Sequence, residues 1–360
     1  MHEIVKPGIM IMAGGTGGHV FPGLAVALEL RELGVAVSWL GTRKGIESEL
    51  IPAHDIPIEL LNIEGIRGRG LAALLKAPLF LSQSVRQAMK IIDEFNPSAV
   101  LGMGGFGSGP GAVAAWLKGV PIIIHEQNAI AGTTNRIISY FAKSILEGFP
   151  GTIKGAHWSG NPIRKEISEI KEPNFRFEGR QGPVNLLVLG GSRGAKTINE
   201  LVPKALALIP QNNRPNVLHQ TGKQHAGLTR ALYAAMNVEC EVVPFINAMD
   251  EAYKWADFVI CRAGALTVAE LINVGLAAIF IPFPFAVDDH QTANAQWVSS
   301  LGGAVLCPQV DLSVNKLRDL IEQFVESSDK RLSMALAART AAKARATEEI
   351  SKVCLGYLNV

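Results

Sequence analysis

The chain has 360 residues, is 48% apolar, and carries 34 Lys and Arg against 32 Asp and Glu, for a net charge of +2. That length allows two domains with sizeable cores, and the near-balanced charge gives no sign of a nucleic-acid partner. The four cysteines are scattered with no Cys-x-x-Cys pair, which argues for reduced thiols and against a disulfide framework or zinc site. No apolar run approaches the ~20 residues of a spanning helix, and no secretory leader is recognisable. A soluble protein, or one attached to a membrane surface, is expected.

In chain order, the apolar run at 8–13 predicts a buried strand that ends in Gly14-Gly15-Thr16-Gly17-Gly18-His19. A helix over 24–33 and a strand over 35–40 follow. The region 65–92 holds Arg67, Arg69, Lys76, Arg86 and Lys90 without an acidic residue, interleaved with Leu71, Leu74, Leu75, Leu79, Phe80 and Leu81. Such a segment can lie on an anionic membrane surface, or it can be a core helix with basic edges. Pro78 is expected to kink or break it. After a helix over 84–94, a strand at 99–101 runs into a second glycine loop, Gly102 to Gly109, and a helix over 110–117. A strand at 121–124 is followed by His125-Glu126-Gln127-Asn128.

A domain boundary is expected between 160 and 183, where Gly160-Asn161-Pro162 breaks the pattern. The alternation then restarts. A strand at 184–189 ends in the third glycine loop, Gly190-Gly191-Ser192-Arg193-Gly194, and further strands are predicted at 216–219, 240–243, 258–260 and 277–281. None alternates in and out, as expected of parallel strands with helices on both faces. The Ala-rich run 330–353 reads as helical. It can close the second domain or cross back onto the first.

Glycine loops between a buried strand and a helix present free N–H groups to an anion, so three of them suggest phosphorylated ligands. None has the dinucleotide fingerprint or a Gly-Lys-Ser/Thr phosphate loop. His19 stands at a helix start on an exposed loop, either as a base in neutral form or as a hydrogen-bonded structural residue. Four polar residues beyond a strand end, His125 to Asn128, favour a binding site. Glu270, on the helix opened by Gly264, can accept from both hydroxyls of a ribose; taken alone it reads as a surface glutamate. Asp288 and Asp289 can act as bases, or one can cap a helix.

Together these motifs resemble the MurG family of bacterial peptidoglycan glycosyltransferases. The resemblance rests on Gly-Gly-Thr-Gly-Gly-His with Phe21-Pro22-Gly23, the Gly102–Gly111 loop, His-Glu-Gln-Asn, Gly160-Asn-Pro-Ile-Arg164, Gly190-Gly-Ser-Arg-Gly-Ala195 and Arg262-Ala-Gly-Ala-Leu-Thr-Val-Ala-Glu270, in order over nearly the whole chain.

It implies an α/β fold of GT-B architecture, with two Rossmann-like domains facing a cleft. Residues 1–163 would form the acceptor and membrane-associated domain, 164–340 the UDP-GlcNAc domain, and 341–360 a helix returning to the first. The implied reaction moves N-acetylglucosamine from UDP-GlcNAc, with inversion, to the muramoyl 4-hydroxyl of a lipid-linked pyrophosphate acceptor, giving lipid II. Ile246 would read uracil through its backbone and Glu270 would bind ribose. Ser192, Arg164 and the loop Ala265, Leu266 and Thr267 would serve the diphosphate side, and Val268 and Ala269 would also belong to the substrate-binding residues. Gln291, Asn128, Thr16, Gly17 and Gly18 would line the sugar, Gly104 and Gly105 would face the acceptor pyrophosphate, and His19 would be the base.

No metal and no cofactor is implied. Partners would be the two substrates, an anionic membrane surface and other cell-wall synthesis proteins, at the cytoplasmic face of the inner membrane. Arg193 and Phe285 depart from the glutamine and histidine common in the family. A UDP-sugar 2-epimerase and a non-catalytic UDP-sugar-binding protein are the competing readings.

Overall fold

A computed structural model describes residues 8–63, 71–191 and 194–358, with the backbone alone for 71–78. The chain divides into two units, Met1–Ile163 with Lys343–Val360, and Arg164–Ala342.

Among the described residues the first unit has seven strands: β1 (Gly8–Ala13), β2 (Ala36–Thr42), β3 (Ile58–Leu61), β4 (Ala99–Gly104), β5 (Ile122–Glu126), β6 (Ser144–Glu147) and β7 (His157–Trp158). They form one parallel sheet in the order β3-β2-β1-β4-β5-β6-β7. The second unit has β8 (Asn185–Leu189), β9 (Asn216–Gln220), β10 (Glu241–Val243), β11 (Phe258–Cys261), β12 (Ala277–Phe280) and β13 (Ala304–Leu306). These are also parallel, in the order β10-β9-β8-β11-β12-β13. Each unit therefore repeats the Rossmann order, with its switch point between the first and fourth strands.

The continuous apolar strands follow from cover on both faces. In β1, Ile9, Ile11 and Ala13 pack with Val20, Leu24 and Ala27 of the helix Gly17–Glu32. Met10 and Met12 point the other way, to Val85, Ala88, Ile91 and Ile92 of the helix Leu71–Phe95. Alternation is present in space, but both sides are dry.

Two expectations are corrected. The helix Leu71–Phe95 runs through Pro78 unbroken. Pro78 lacks one N–H, while the next turns bury Ser84, Val85, Ala88, Ile91 and Ile92, and this packing outweighs the local cost. The run 330–353 is not one element. Ser328–Arg339 packs on the helix Ala265–Val274 and β12 in the second unit, and Ala346–Leu355 packs on Gly17–Glu32 in the first. Ile350 and Cys354 of the latter are fully buried in the first unit's core, and the Tyr357 hydroxyl lies 2.8 Å from Ser144 Oγ. All four cysteines are free thiols.

Candidate active site

At the first unit's switch point the loops after β1 and β4 meet. The β1–β4 register slips between Met12 and Ala13, which pair with Gly102 and Gly104. Ser108 Oγ, fully buried, lies 2.7 Å from both the Met12 and Gly104 carbonyls and so ties the two strand ends. Gly104 and Gly105 have φ of +98° and +88°. A Cβ on Gly104 would stand 3.0 Å from the His19 ring. Glycine is therefore required for the loop to approach the histidine.

Thr16 precedes the helix Gly17–Glu32 in extended conformation, and the N–H groups of His19 and Val20 donate to its carbonyl. Thr16 and Gly18 are exposed, and His19 is half-buried. His19 Nδ1 lies 2.9 Å from Gln127 Oε1.

Glu47, fully buried, shapes this loop from below, accepting from Gly15 N at 3.0 Å, Thr42 N at 2.8 Å and Thr42 Oγ1 at 2.7 Å. No local sequence signal marks Glu47. Its partners lie on two other strand ends, and only the glycines at 14, 41 and 45, where a Cβ would strike it, betray the crowding.

The segment His125 to Asn128 does not form four exposed polar groups. His125 and Glu126 complete β5, and His125, Glu126 and Gln127 are at most 1% exposed. Glu126 accepts from Asn128 N at 3.0 Å, Asn128 Nδ2 at 3.2 Å, Gly132 N at 3.0 Å and Asn135 Nδ2 at 2.9 Å. It is a loop-building carboxylate. Asn161 Nδ2 donates to the Gln127 carbonyl at 2.9 Å. Asn128 alone of the four reaches partial exposure. Burial pulls the His125 imidazole down to about 4, against the opposing pull of the Gly160 carbonyl and Glu126, so it is neutral at pH 7.

In the second unit, Gly190 N donates to the Gln220 carbonyl at 2.8 Å. A Cβ on Gly194, at φ +79°, would lie 2.4 Å from the Thr221 carbonyl. Ser192 and Arg193 lie outside the described residues. Asn199, on the helix Lys196–Ala207, donates to the Thr221 carbonyl at 3.0 Å and places Oδ1 3.0 Å from His219 Nε2.

Gly264 opens the helix Ala265–Val274. Its first-turn N–H groups are the orphan donors an anion can take. Leu266 and Thr267 are partly exposed, whereas Ala265, Val268 and Ala269 are buried.

Glu270 is not the surface glutamate that local reading favoured. It is 3% exposed, because this helix is apolar all round and covered on all sides. Its Oε1 accepts from Arg164 Nη2 at 2.9 Å and Nε at 3.3 Å, and its Oε2 accepts from the Tyr253 hydroxyl at 2.8 Å. Burial lifts its carboxyl above the usual value, opposed by Arg164 and Tyr253. Arg164 also lines a cavity of about 300 Å³ with Glu166, Ile167, Asn247, Met249 and Asp250.

Gln291 Oε1 accepts from Phe283 N at 3.0 Å and so holds the proline loop. Asp289 is the N-cap residue of the helix His290–Ser300 and accepts from Thr292 Oγ1 at 2.7 Å. Phe285 is 81% exposed. Among the described residues no cluster of three or more His, Cys, Asp or Glu is arranged to hold a metal ion.

Two Rossmann-like units, each with glycine loops at its switch point, define the GT-B class of glycosyltransferases. Residues 9–147 match the glycosyltransferase family 28 N-terminal domain and residues 185–350 the C-terminal domain of that family. The chain belongs to glycosyltransferase family 28.

It is 48% identical, over 96% of its length and 98% of the relative's, to the UDP-N-acetylglucosamine--N-acetylmuramyl-(pentapeptide) pyrophosphoryl-undecaprenol N-acetylglucosamine transferase of Nitrosococcus oceani. It superposes on the crystal structure of Acinetobacter baumannii MurG with a TM-score of 0.84 at 41% identity, covering 98% of this chain and 100% of that one. A Listeria monocytogenes protein described as a UDP-N-acetylglucosamine 2-epimerase shares the fold alone. It has a TM-score of 0.65 at 13% identity, over 96% of this chain and 95% of that one.

Proposed function

We propose that this chain transfers N-acetylglucosamine from UDP-GlcNAc to a lipid-linked N-acetylmuramyl-(pentapeptide) pyrophosphate, giving lipid II in peptidoglycan synthesis. The observation that carries this reading is the 48% identity over 96% of the chain to a relative named for that transfer. The epimerase reading rests on fold alone.

The first unit takes the acceptor. Gly104 and Gly105 offer main-chain donors to its pyrophosphate, with Thr16, Gly17, Gly18 and Asn128 toward the sugar. His19 removes the proton from the muramoyl 4-hydroxyl. The hydroxyl oxygen then bonds to C1 of the donor sugar with inversion, and the bond from C1 to the UDP oxygen breaks with its electron pair leaving on UDP.

The second unit takes the donor. Ile246 meets uracil through its backbone, and Gln291 meets the sugar. Glu270 accepts from the ribose hydroxyls in place of the Arg164 guanidinium, which turns to the diphosphate. Ser192 and the N–H groups at Ala265, Leu266 and Thr267 stabilise the same developing charge. Val268 and Ala269 are buried and serve by packing.

The membrane contact is the stretch Leu79–Leu81 of the helix Leu71–Phe95. Leu79, Phe80 and Leu81 are 62%, 54% and 42% exposed, and Arg86 and Lys90 stand exposed further on. No described helix is long and apolar enough to cross a membrane, so the association we propose is peripheral, on the anionic cytoplasmic face.

UDP release with and without a lipid-linked acceptor tests the function. Release that requires the acceptor is expected. Interconversion of UDP-GlcNAc with no acceptor present would favour an epimerase, and binding without turnover would favour a non-catalytic protein.

A further inference from the structure

We propose that Gln127 is a positioning residue, anchored by His125, that holds His19 in its Nδ1–H tautomer and leaves Nε2 as the atom that accepts the acceptor's proton. The inference rests on the reading of His19 as the base.

Three hydrogen bonds in series fix every proton along the line. His125 Nε2 lies 2.8 Å from the Gly160 carbonyl. A carbonyl oxygen only accepts, so Nε2 of His125 carries the proton. The neutral His125 ring then has a bare Nδ1, and Gln127 Nε2 donates to it at 3.1 Å. Gln127 Nε2 also donates to the His125 carbonyl at 3.0 Å. That second acceptor independently fixes which end of the amide faces His125. Gln127 Oε1 is therefore turned to His19 Nδ1, 2.9 Å away, and can only accept. His19 Nδ1 must carry the proton, and the lone pair is on Nε2.

The relay is built to hold. His125 is fully buried and Gln127 is 1% exposed, and a buried amide with its partners met is expensive to rotate. Gly160 can present its carbonyl there because it adopts φ +80°. Proton transfer breaks the hydroxyl O–H bond of the acceptor and forms N–H at Nε2. The imidazolium that results keeps donating from Nδ1 to Gln127, so no group in the relay has to move.

The ring nitrogens of the full chain, labelled with 15N-histidine, test this directly. His19→Ala identifies which of the eight histidine signals belongs to His19. A protonated Nδ1 and a bare Nε2 are expected for His19 at neutral pH, and the opposite tautomer overturns the proposal without any substitution in the relay. Gln127→Leu should move His19 toward Nε2–H. It should also lower kcat about 10-fold or more with the donor KM unchanged, since a misplaced tautomer costs base catalysis and not binding. An unshifted tautomer and kcat in Gln127→Leu would refute the positioning role. If His19 is Nδ1–H but His19→Ala turns over normally, it is the base reading that fails. If His19 is Nε2–H and His19→Ala is inactive, the relay fails and the base reading survives.

Discussion

A Cβ placed on Gly105 would lie 2.2 Å from the main-chain oxygen of Gly14. The two glycine loops of the first unit therefore touch backbone to backbone, and neither can be widened without displacing the other. Gly105 also holds φ +88°, a region that costs a side-chain-bearing residue about 1–3 kcal/mol before any clash is counted.

Gly105→Ala should accordingly destabilise the first unit by at least that much. It should reduce turnover by pushing the β1 loop, and His19 with it, off its position. Urea unfolding and acceptor-dependent UDP release report the two effects. Wild-type values for both would mean that the loops are free to part.

Glu270 offers a comparison of two substitutions. Glu270→Ala strips the Tyr253 hydroxyl of its acceptor inside the core, and an unmet buried hydroxyl costs about 1–3 kcal/mol. The second unit should lose about that much stability even without ligand. Glu270→Gln keeps an oxygen toward one donor and should restore most of the stability, yet still weaken UDP-GlcNAc binding by about 1.5–3 kcal/mol, the range for a hydrogen bond to a charged group. Calorimetry showing full affinity in Glu270→Gln would remove the carboxylate's charge from the donor site.

The parallel strands were readable because a strand dry on both faces is a short apolar block, and three of them stop at glycine loops. What escaped was the set of contacts that chain-local patterns do not carry. Glu47 reaches Gly15 across 32 positions, and only the glycines at 14, 41 and 45 hint at the crowding around it. Gln127 lies in a motif that a strand read as 121–124 leaves wholly beyond the strand end, whereas β5 takes in His125 and Glu126. For Glu270 a signal was present: Ala-Leu-Thr-Val-Ala-Glu-Leu-Ile-Asn-Val is apolar on every side of a helix, so a carboxylate within it must be buried and partnered.

Two buried histidines give a pH dependence. Burial holds His125 at about 4 and His219 at about 3, against 6.5 for the free side chain. His219 is fully buried, with Nδ1 2.9 Å from the Tyr233 hydroxyl. Below pH 6.5 the unfolded chain binds protons that the folded chain refuses. Stability is therefore complete above that pH and falls as pH drops toward 4 for His125 and toward 3 for His219. At pH 5 each histidine should cost its unit about 2 kcal/mol relative to pH 7. His219→Gln should remove that part of the slope from the second unit. Urea titrations at pH 7 and 5 measure it, and equal midpoints would show that neither ring is excluded from water.

On the helix Leu71–Phe95 the exposed stretch Leu79–Leu81, proposed as the membrane contact, is separate from the later turns that enter the core, which separates two experiments. Its later turns bury Val85, Ala88, Ile91 and Ile92, as the alternative of a core helix with basic edges requires for that part of the segment. Leu79 and Phe80 remain mostly exposed and have little folded-state packing to lose. Leu79→Ser with Phe80→Ser should leave the urea midpoint within about 0.5 kcal/mol of wild type, while weakening binding to anionic vesicles. Arg86→Ala and Lys90→Ala should each remove about 1 kcal/mol of vesicle affinity, with Lys90 the smaller because it already stands 3.5 Å from Glu94. Ile91→Ala should do the reverse, costing about 2–5 kcal/mol of stability with little direct effect on vesicle binding by the folded protein. Turnover of a water-soluble short-chain acceptor should survive all four exposed substitutions. Vesicle affinity unchanged in the Leu79 and Phe80 variant would place the membrane contact elsewhere on the first unit.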